Sequence, residues 1–190
     1  MHNIAPFYRW ENHYQAHLDM RSPFYGNEPQ AFFENEIYGY YIHPEWEYIG
    51  SETLYLKVLY VDYTRQFCVI ELIGEWNDAL HNDVMYLKCR VIDNLLQNGI
   101  TQFILIGENV LNFHGSDDCY YEDWFEEIGT EGWIVGLNFR DFVLEEMGHY
   151  NVDNYLIAGG RFDMLNWRTM EPLVMYRFIR QEVMRRIDLV

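Results

Sequence analysis

The chain has 190 residues, 49% of them hydrophobic, and a formal net charge of −17, enough apolar material for one sizeable core and about one domain. That charge repels nucleic-acid phosphates and anionic membrane surfaces, which removes both from the expected partners. No run approaches the roughly 18 unbroken apolar residues of a membrane helix, and the opening MHNIAPFYRWENHYQAH lacks the basic-then-apolar layout of a secretory signal, so a cytoplasmic location is expected.

Residues 1–50 form an aromatic-rich extension in which Leu and Val are scarce. A short helix near 8–18, turns at Pro23, Gly26 and Pro29, and a strand near 36–42 are expected there. So many large rings predict packing on the core or a subunit contact, with a ligand-binding aromatic cluster as the alternative. Residues 51–190 make the α/β domain. TLYLKVLYVDY (53–63) and FCVIELIG (67–74) read as an antiparallel hairpin, the first strand near an edge and the second central. Leu80, Val84, Leu87, Val91 and Leu95 then recur at helical spacing over 79–99. Asn77 or Asp78 can cap that helix, and Asn98-Gly99 can end it. The strand ITQFILI (100–106) completes a crossover that favours parallel, right-handed pairing with 67–74.

Further along, 107–117 reads as a loop, and 118–128 as an acidic helix with Trp124, Phe125 and Ile128 inward. GWIVGL (132–137) reads as a buried strand, 138–148 as a helix and YLIAGG (155–160) as a last strand. From Met170 onward Leu173, Val174, Phe178, Ile179, Met184 and Ile187 make an amphipathic C-terminal helix, with Pro172 in its first turn. The class is therefore α/β, with a mixed sheet of about five strands. Three cysteines lack zinc-ligand or Cys-x-x-Cys spacing, and buried free thiols are expected at Cys68 and Cys89. Arg161, Arg168, Arg177, Arg180, Arg185 and Arg186 crowd the last thirty residues, a basic tail suited to docking on the acidic body of the same chain or of another subunit.

Two polar knots could carry chemistry. Glu75, Trp76, Asn77 and Asp78 stand at the C-terminal end of a central strand, the edge where α/β sheets bind ligands. His114, Ser116, Asp117 and Asp118, with Glu122 a turn on, precede a helix. Carboxylates there suit a hard cation, but no calcium-loop pattern is present. Ser116 with His114 suggests a nucleophile, but the G-x-S-x-G elbow is absent. Simple helix capping explains both knots. No glycine loop cradles a phosphate and no histidine pair has metal-ligand spacing, so neither cofactor nor metal is expected. The sequence reveals no reaction, and no catalytic residue is assigned.

GEWNDALHNDVMYLKCRVIDNLLQNG, ITQFILIGENVLNFHGSDD and GWIVGLNFRDFVLEEMGHYNVDNYLI together resemble the STAS family, the domain of anti-sigma-factor antagonists, over residues 53–158. The resemblance implies a STAS-like fold and a non-catalytic regulatory or protein-interaction role, through a protein partner or through self-association as a homodimer. It places the family's regulatory serine on Ser116, a candidate phosphosite, and its loop valine on Val110. Ile106 stands where the family has an aspartate and Asp117 where it has a glycine, so a phosphate on Ser116 would face two carboxylates, an unfavourable pairing. Two other readings stand beside it. One is a small-molecule-binding or hydrolytic protein that uses an acidic rim of Glu75, Asp78, His114 and Asp117; the other is a structural subunit of a larger complex.

Overall fold

The computed structural model describes residues 4–28 and 35–187, the last by its main chain. The turn expected at Pro29 and the Ile187 side chain lie outside the described residues. A five-stranded mixed sheet runs β3–β4–β5–β6–β7, with β3 at Glu47–Tyr48, β4 at Leu54–Asp62, β5 at Phe67–Asn77, β6 at Gln102–His114 and β7 at Trp133–Leu137. β4 and β5 pair antiparallel as a hairpin, and β5–β6 and β6–β7 pair parallel. A separate two-stranded hairpin joins β1, Glu36–Ile37, to β2, Tyr40–Tyr41. Its two turn residues, Tyr38 and Gly39, both have positive φ (54° and 72°), the geometry whose twist matches paired strands. That turn breaks the single strand expected over 36–42.

Alternation along the central strands splits their apolar side chains between two layers. Cys68, Ile70, Leu72 and Trp76 of β5 face the helices. Phe67 and Val69 face the other side, where Trp10, Phe162, Trp167 and the C-terminal helix α6 (Pro172–Ile187) cover the sheet. Both faces of the sheet are thus buried, which is why β5 is buried at every residue and apolar apart from Glu71, Glu75 and Asn77. In β4 the register shifts between Val58 and Tyr60. This bulge leaves Leu59 and Tyr60 both on the face opposite the helices and returns Val61 to the helical face, and it accounts for the loss of alternation in the sequence.

Several expectations are corrected. The helix expected over 79–99 is broken into α1 (Asp78–His81), α2 (Asp83–Leu87), a π-helical stretch at Lys88–Ile92 and α3 (Asp93–Gln97). Asn82 takes the left-handed conformation at φ 53° between α1 and α2. The break turns Leu80 out to 81% exposure, while Val84, Leu87, Val91 and Leu95 stay buried. Leu87→Ala should therefore cost about 2–5 kcal/mol in chemical denaturation, and Leu80→Ser should change stability by less than about 0.5 kcal/mol. In α4 (Cys119–Ile128) Tyr121 replaces Phe125 as the inward aromatic, with Phe125 44% exposed. α5 spans Asp141–His149. Residues 155–160 form no strand: only Ile157 bridges to Val135, and the Ala158 and Gly159 carbonyls accept from Arg186. The fifth strand is β3 instead.

The helix expected near 8–18 is a single 3₁₀ turn, Ala16–Leu18. Tertiary bonds hold this segment in its place, the Phe7 N–H donating to Glu71 and the Trp10 indole to the Met170 carbonyl. In α6 the buried stripe is Met175, Tyr176, Ile179 and Val183, and Val174 is half exposed. Of the cysteines, Cys68 is buried and Cys89 and Cys119 are exposed. Four of the six tail arginines dock within the molecule: Arg161 and Arg185 on Glu182, Arg168 on Glu71 and Glu108, and Arg186 on the carbonyls above.

Candidate functional site

Residues 75–78 sit at the exit of β5, and parallel register sets Asn77 beside His114 at the end of β6. This juxtaposition depends on β6 continuing through the stretch expected to be a loop. β7 ends opposite Ile106; beyond that point β6 has an open side, which tolerates the polar Glu108, Asn109 and Asn112.

Successive residues of the β5 exit point to opposite layers. Glu75 faces the β1–β2 hairpin, where its carboxylate accepts from the Tyr38 hydroxyl at 2.6 Å and lies 2.7 Å from His114 Nε2. Asn112 Nδ2 is 2.9 Å from the same ring nitrogen. Partial burial, then the hydrogen bond to Glu75, pushes the Tyr38 phenol up to about 12. Trp76 is buried on the helical side, where its indole donates to Asp78 at 3.1 Å. Asp78 also accepts from the Val84 N–H at 2.8 Å and the Tyr121 hydroxyl at 2.5 Å. Burial raises this carboxyl to about 6 against the pull of those donors. Asn77 caps α1 by accepting from the Leu80 N–H at 3.0 Å, as its position in the sequence suggested. Its own N–H donates to Asp83 at 2.7 Å, and Thr53 donates to the same Asp83 oxygen at 2.8 Å.

Glu75 and Asp78 therefore do not converge as an acid–base pair. Asp78 is spent inside the helical layer on a strut that ties β5, α2 and α4, and Glu75 anchors the hairpin. On the far side of the rim Ser116 is exposed between β6 and α4. Asp117 accepts from Cys119, whose thiol and N–H hold the carboxyl below its ordinary value. Asp118 stands at the helix N-cap without a side-chain cap bond, and accepts from the Tyr155 hydroxyl at 3.0 Å. Glu75, His114 and Tyr38 are brought together; Asp117 and Asp118 belong to separate local contacts. Among the described residues no group of three His, Cys, Asp or Glu side chains could hold a metal ion, and no helix is long and apolar enough to cross a membrane.

Sequence reasoning missed Tyr38, whose role depends on a tight turn. It also missed Glu71, on the other face of β5, as the partner of Arg168, whose docking on the acidic body was expected without a named partner. Glu71 is fully buried, and its one sequence signal was a carboxylate inside the apolar run FCVIELIG.

No protein-family model matches the chain, and no curated protein matches it. Among solved structures it is similar to the anti-sigma factor antagonist SpoIIAA in its unphosphorylated form, at 16% identity and a TM-score of 0.42, over 55% of this chain and 88% of that one. It is similar also to the Bacillus cell fate determinant SpoIIAA in its phosphorylated form, at 16% identity and a TM-score of 0.40, over 55% and 91% of the two chains. The likeness is distant.

Proposed function

We propose that this chain is a non-catalytic protein-interaction domain whose contact surface is the β1–β2 hairpin with Tyr48 and the rim at Glu75 and His114. The observation that carries the reading is the exposure of Tyr38, Tyr40, Tyr41 and Tyr48, at 59, 53, 46 and 53%. They stand above one apolar cluster of Ile37, Ile42, Trp46, Tyr55 and Ile73. Tyrosines supply large contact area at low entropic cost, and they dominate the energetic centres of interfaces. The hairpin that bears them is held from below, through Tyr38 and Glu75 and through Ile37 packed over Gly74. Exposed Glu36 and the rim carboxylates add negative charge, so the favoured partner presents Lys or Arg, which the ring faces accept as well. The same chemistry already operates in this chain, where Arg21 lies 3.3 Å above the Tyr63 ring. Ser116, exposed near the rim, is the position at which a phosphate would change that charge.

The test is a photo-crosslinker at position 40 to capture the partner, followed by affinity measurement with wild type and a Tyr40→Ser/Tyr41→Ser variant. The variant should melt as wild type does and bind about tenfold more weakly or worse. Equal affinity would remove the hairpin from the interface. Light scattering decides whether the partner is a second copy: a mass near 23.0 kDa for the chain alone means a different protein. A dimer that the double substitution dissociates means self-association through the same surface.

A further inference from the structure

α6 presents a second stripe, opposite in character to the tyrosine surface. Arg177, Arg180 and Met184 recur at helical spacing on its outer side, and with Tyr176 they line a groove of about 630 Å³. Arg65, from the turn between β4 and β5, and Gln102, from the start of β6, complete it. In a chain with 30 acidic and 13 basic side chains, a cation normally finds a carboxylate, and the four other arginines of this region all have oxygen partners. Arg177 and Arg180 do not: among the described residues they have no ion-pair partner. Two guanidinium groups one turn apart repel each other, an arrangement that an anion lodged between them relieves.

The floor of the groove is rigid. Tyr176 stacks on Phe67 with ring centroids 4.0 Å apart, and its hydroxyl donates to Gln102 Oε1 at 3.0 Å. That bond occupies the amide oxygen, and among the described residues the amide N–H₂ of Gln102 has no acceptor. Arg65 contributes a guanidinium already shared with Asp62, at 2.8 Å.

We infer that this groove is a binding site for a phosphate monoester. Forked guanidinium donors match phosphate oxygens bidentately, and the Tyr176 and Met184 surfaces suit the organic group attached to the phosphate. A compact dianion fits better than an extended polyanion, because the cationic area is confined to three arginines and everything around it belongs to a −17 body. The phosphate can arrive on a small metabolite or on a phosphorylated side chain of another protein.

Isothermal titration at low salt with phenyl phosphate, and with a short phosphoserine peptide, tests the site. Saturable binding of at least one probe is expected. It should weaken about tenfold or more in an Arg177→Gln/Arg180→Gln variant, and should persist in Arg140→Gln, an exposed arginine elsewhere on the surface. Tighter binding of the peptide identifies a phosphorylated protein as the source, and tighter binding of phenyl phosphate a small molecule. No saturable binding of either probe, or equal binding by wild type and the double variant, overturns the inference. Because the double variant changes only exposed side chains, its melting temperature should match wild type. The Tyr40→Ser/Tyr41→Ser variant should bind both probes normally, which separates this site from the hairpin.

Discussion

Arg168→Ala should destabilise the protein by about 3–5 kcal/mol near pH 8, the loss expected when one partner of a buried ion pair is removed. Glu71 lies at the centre of the sheet with no exposed surface, one oxygen accepting from the Phe7 N–H at 2.8 Å and the other from Arg168 at 2.8 Å. Arg168 also binds Glu108, through Nε at 2.9 Å and through Nη2, and Trp167 donates to the second Glu108 oxygen at 3.3 Å. Taking the guanidinium away leaves two carboxylates facing each other beneath the Phe7–Trp10–Trp167 aromatic cluster. The arginine is 39% exposed; water screens that side of the pair and places the loss toward the lower end of the range. For a chain of this size the melting temperature should fall by roughly 6–20 °C.

The deficit should depend on pH in a definite direction. Burial raises the Glu71 carboxyl to about 7, opposed by the Phe7 N–H and Arg168. The folded state therefore retains a proton that the unfolded chain releases, and this group's contribution is fully present below about 4.5 and lost as pH rises through about 7. Without Arg168 the carboxyl titrates higher still, so the variant should lie closer to wild type at pH 5 than at pH 8. Glu71→Gln keeps an acceptor for Phe7 and should flatten the pH dependence of stability between those values. Equal deficits at the two pH values would remove the carboxylate from the explanation.

Gly74→Ala should be the other severe substitution, at about 2–6 kcal/mol. Gly74 has φ +119°, and an added Cβ would stand 2.1 Å from the Thr53 carbonyl oxygen and 2.6 Å from Ile37 Cδ1. A side chain in that backbone region costs about 1–3 kcal/mol, and overpacking about as much again. The damage falls on the Thr53 backbone and on the hairpin, since the Thr53 carbonyl and Ile37 are both displaced. Limited proteolysis should therefore cut the variant at 38–41 before any other site in the fold opens. A Gly74→Ala protein that resists cleavage there would mean that the hairpin does not rest on β5.

What could be read from the residues was set by what is local. FCVIELIG and ITQFILI read as buried strands because both faces of the sheet are covered, and Asn77 or Asp78 read as a cap because a cap needs only its own neighbours. The break at Asn82 was hidden, since it depends on Asp78 and Asp83 binding N–H groups across the gap. The length of β6 was hidden because its last residues pair on one side only, so their polarity looked like that of a loop. Residues 155–160 looked like a strand, but Arg186, far along the chain, takes the carbonyls that a neighbouring strand would need. At the site, Glu75 and His114 could be listed as candidates, but their meeting required both the full length of β6 and a hairpin turn at Tyr38.

Hydrogen–deuterium exchange on the chain with its crosslink-identified partner tests the interaction account most directly. Slowed exchange should appear at 36–41 and 47–48 and be absent when Tyr40 and Tyr41 are serine. Protection confined to other surfaces, with 36–41 exchanging as in the free chain, would contradict it.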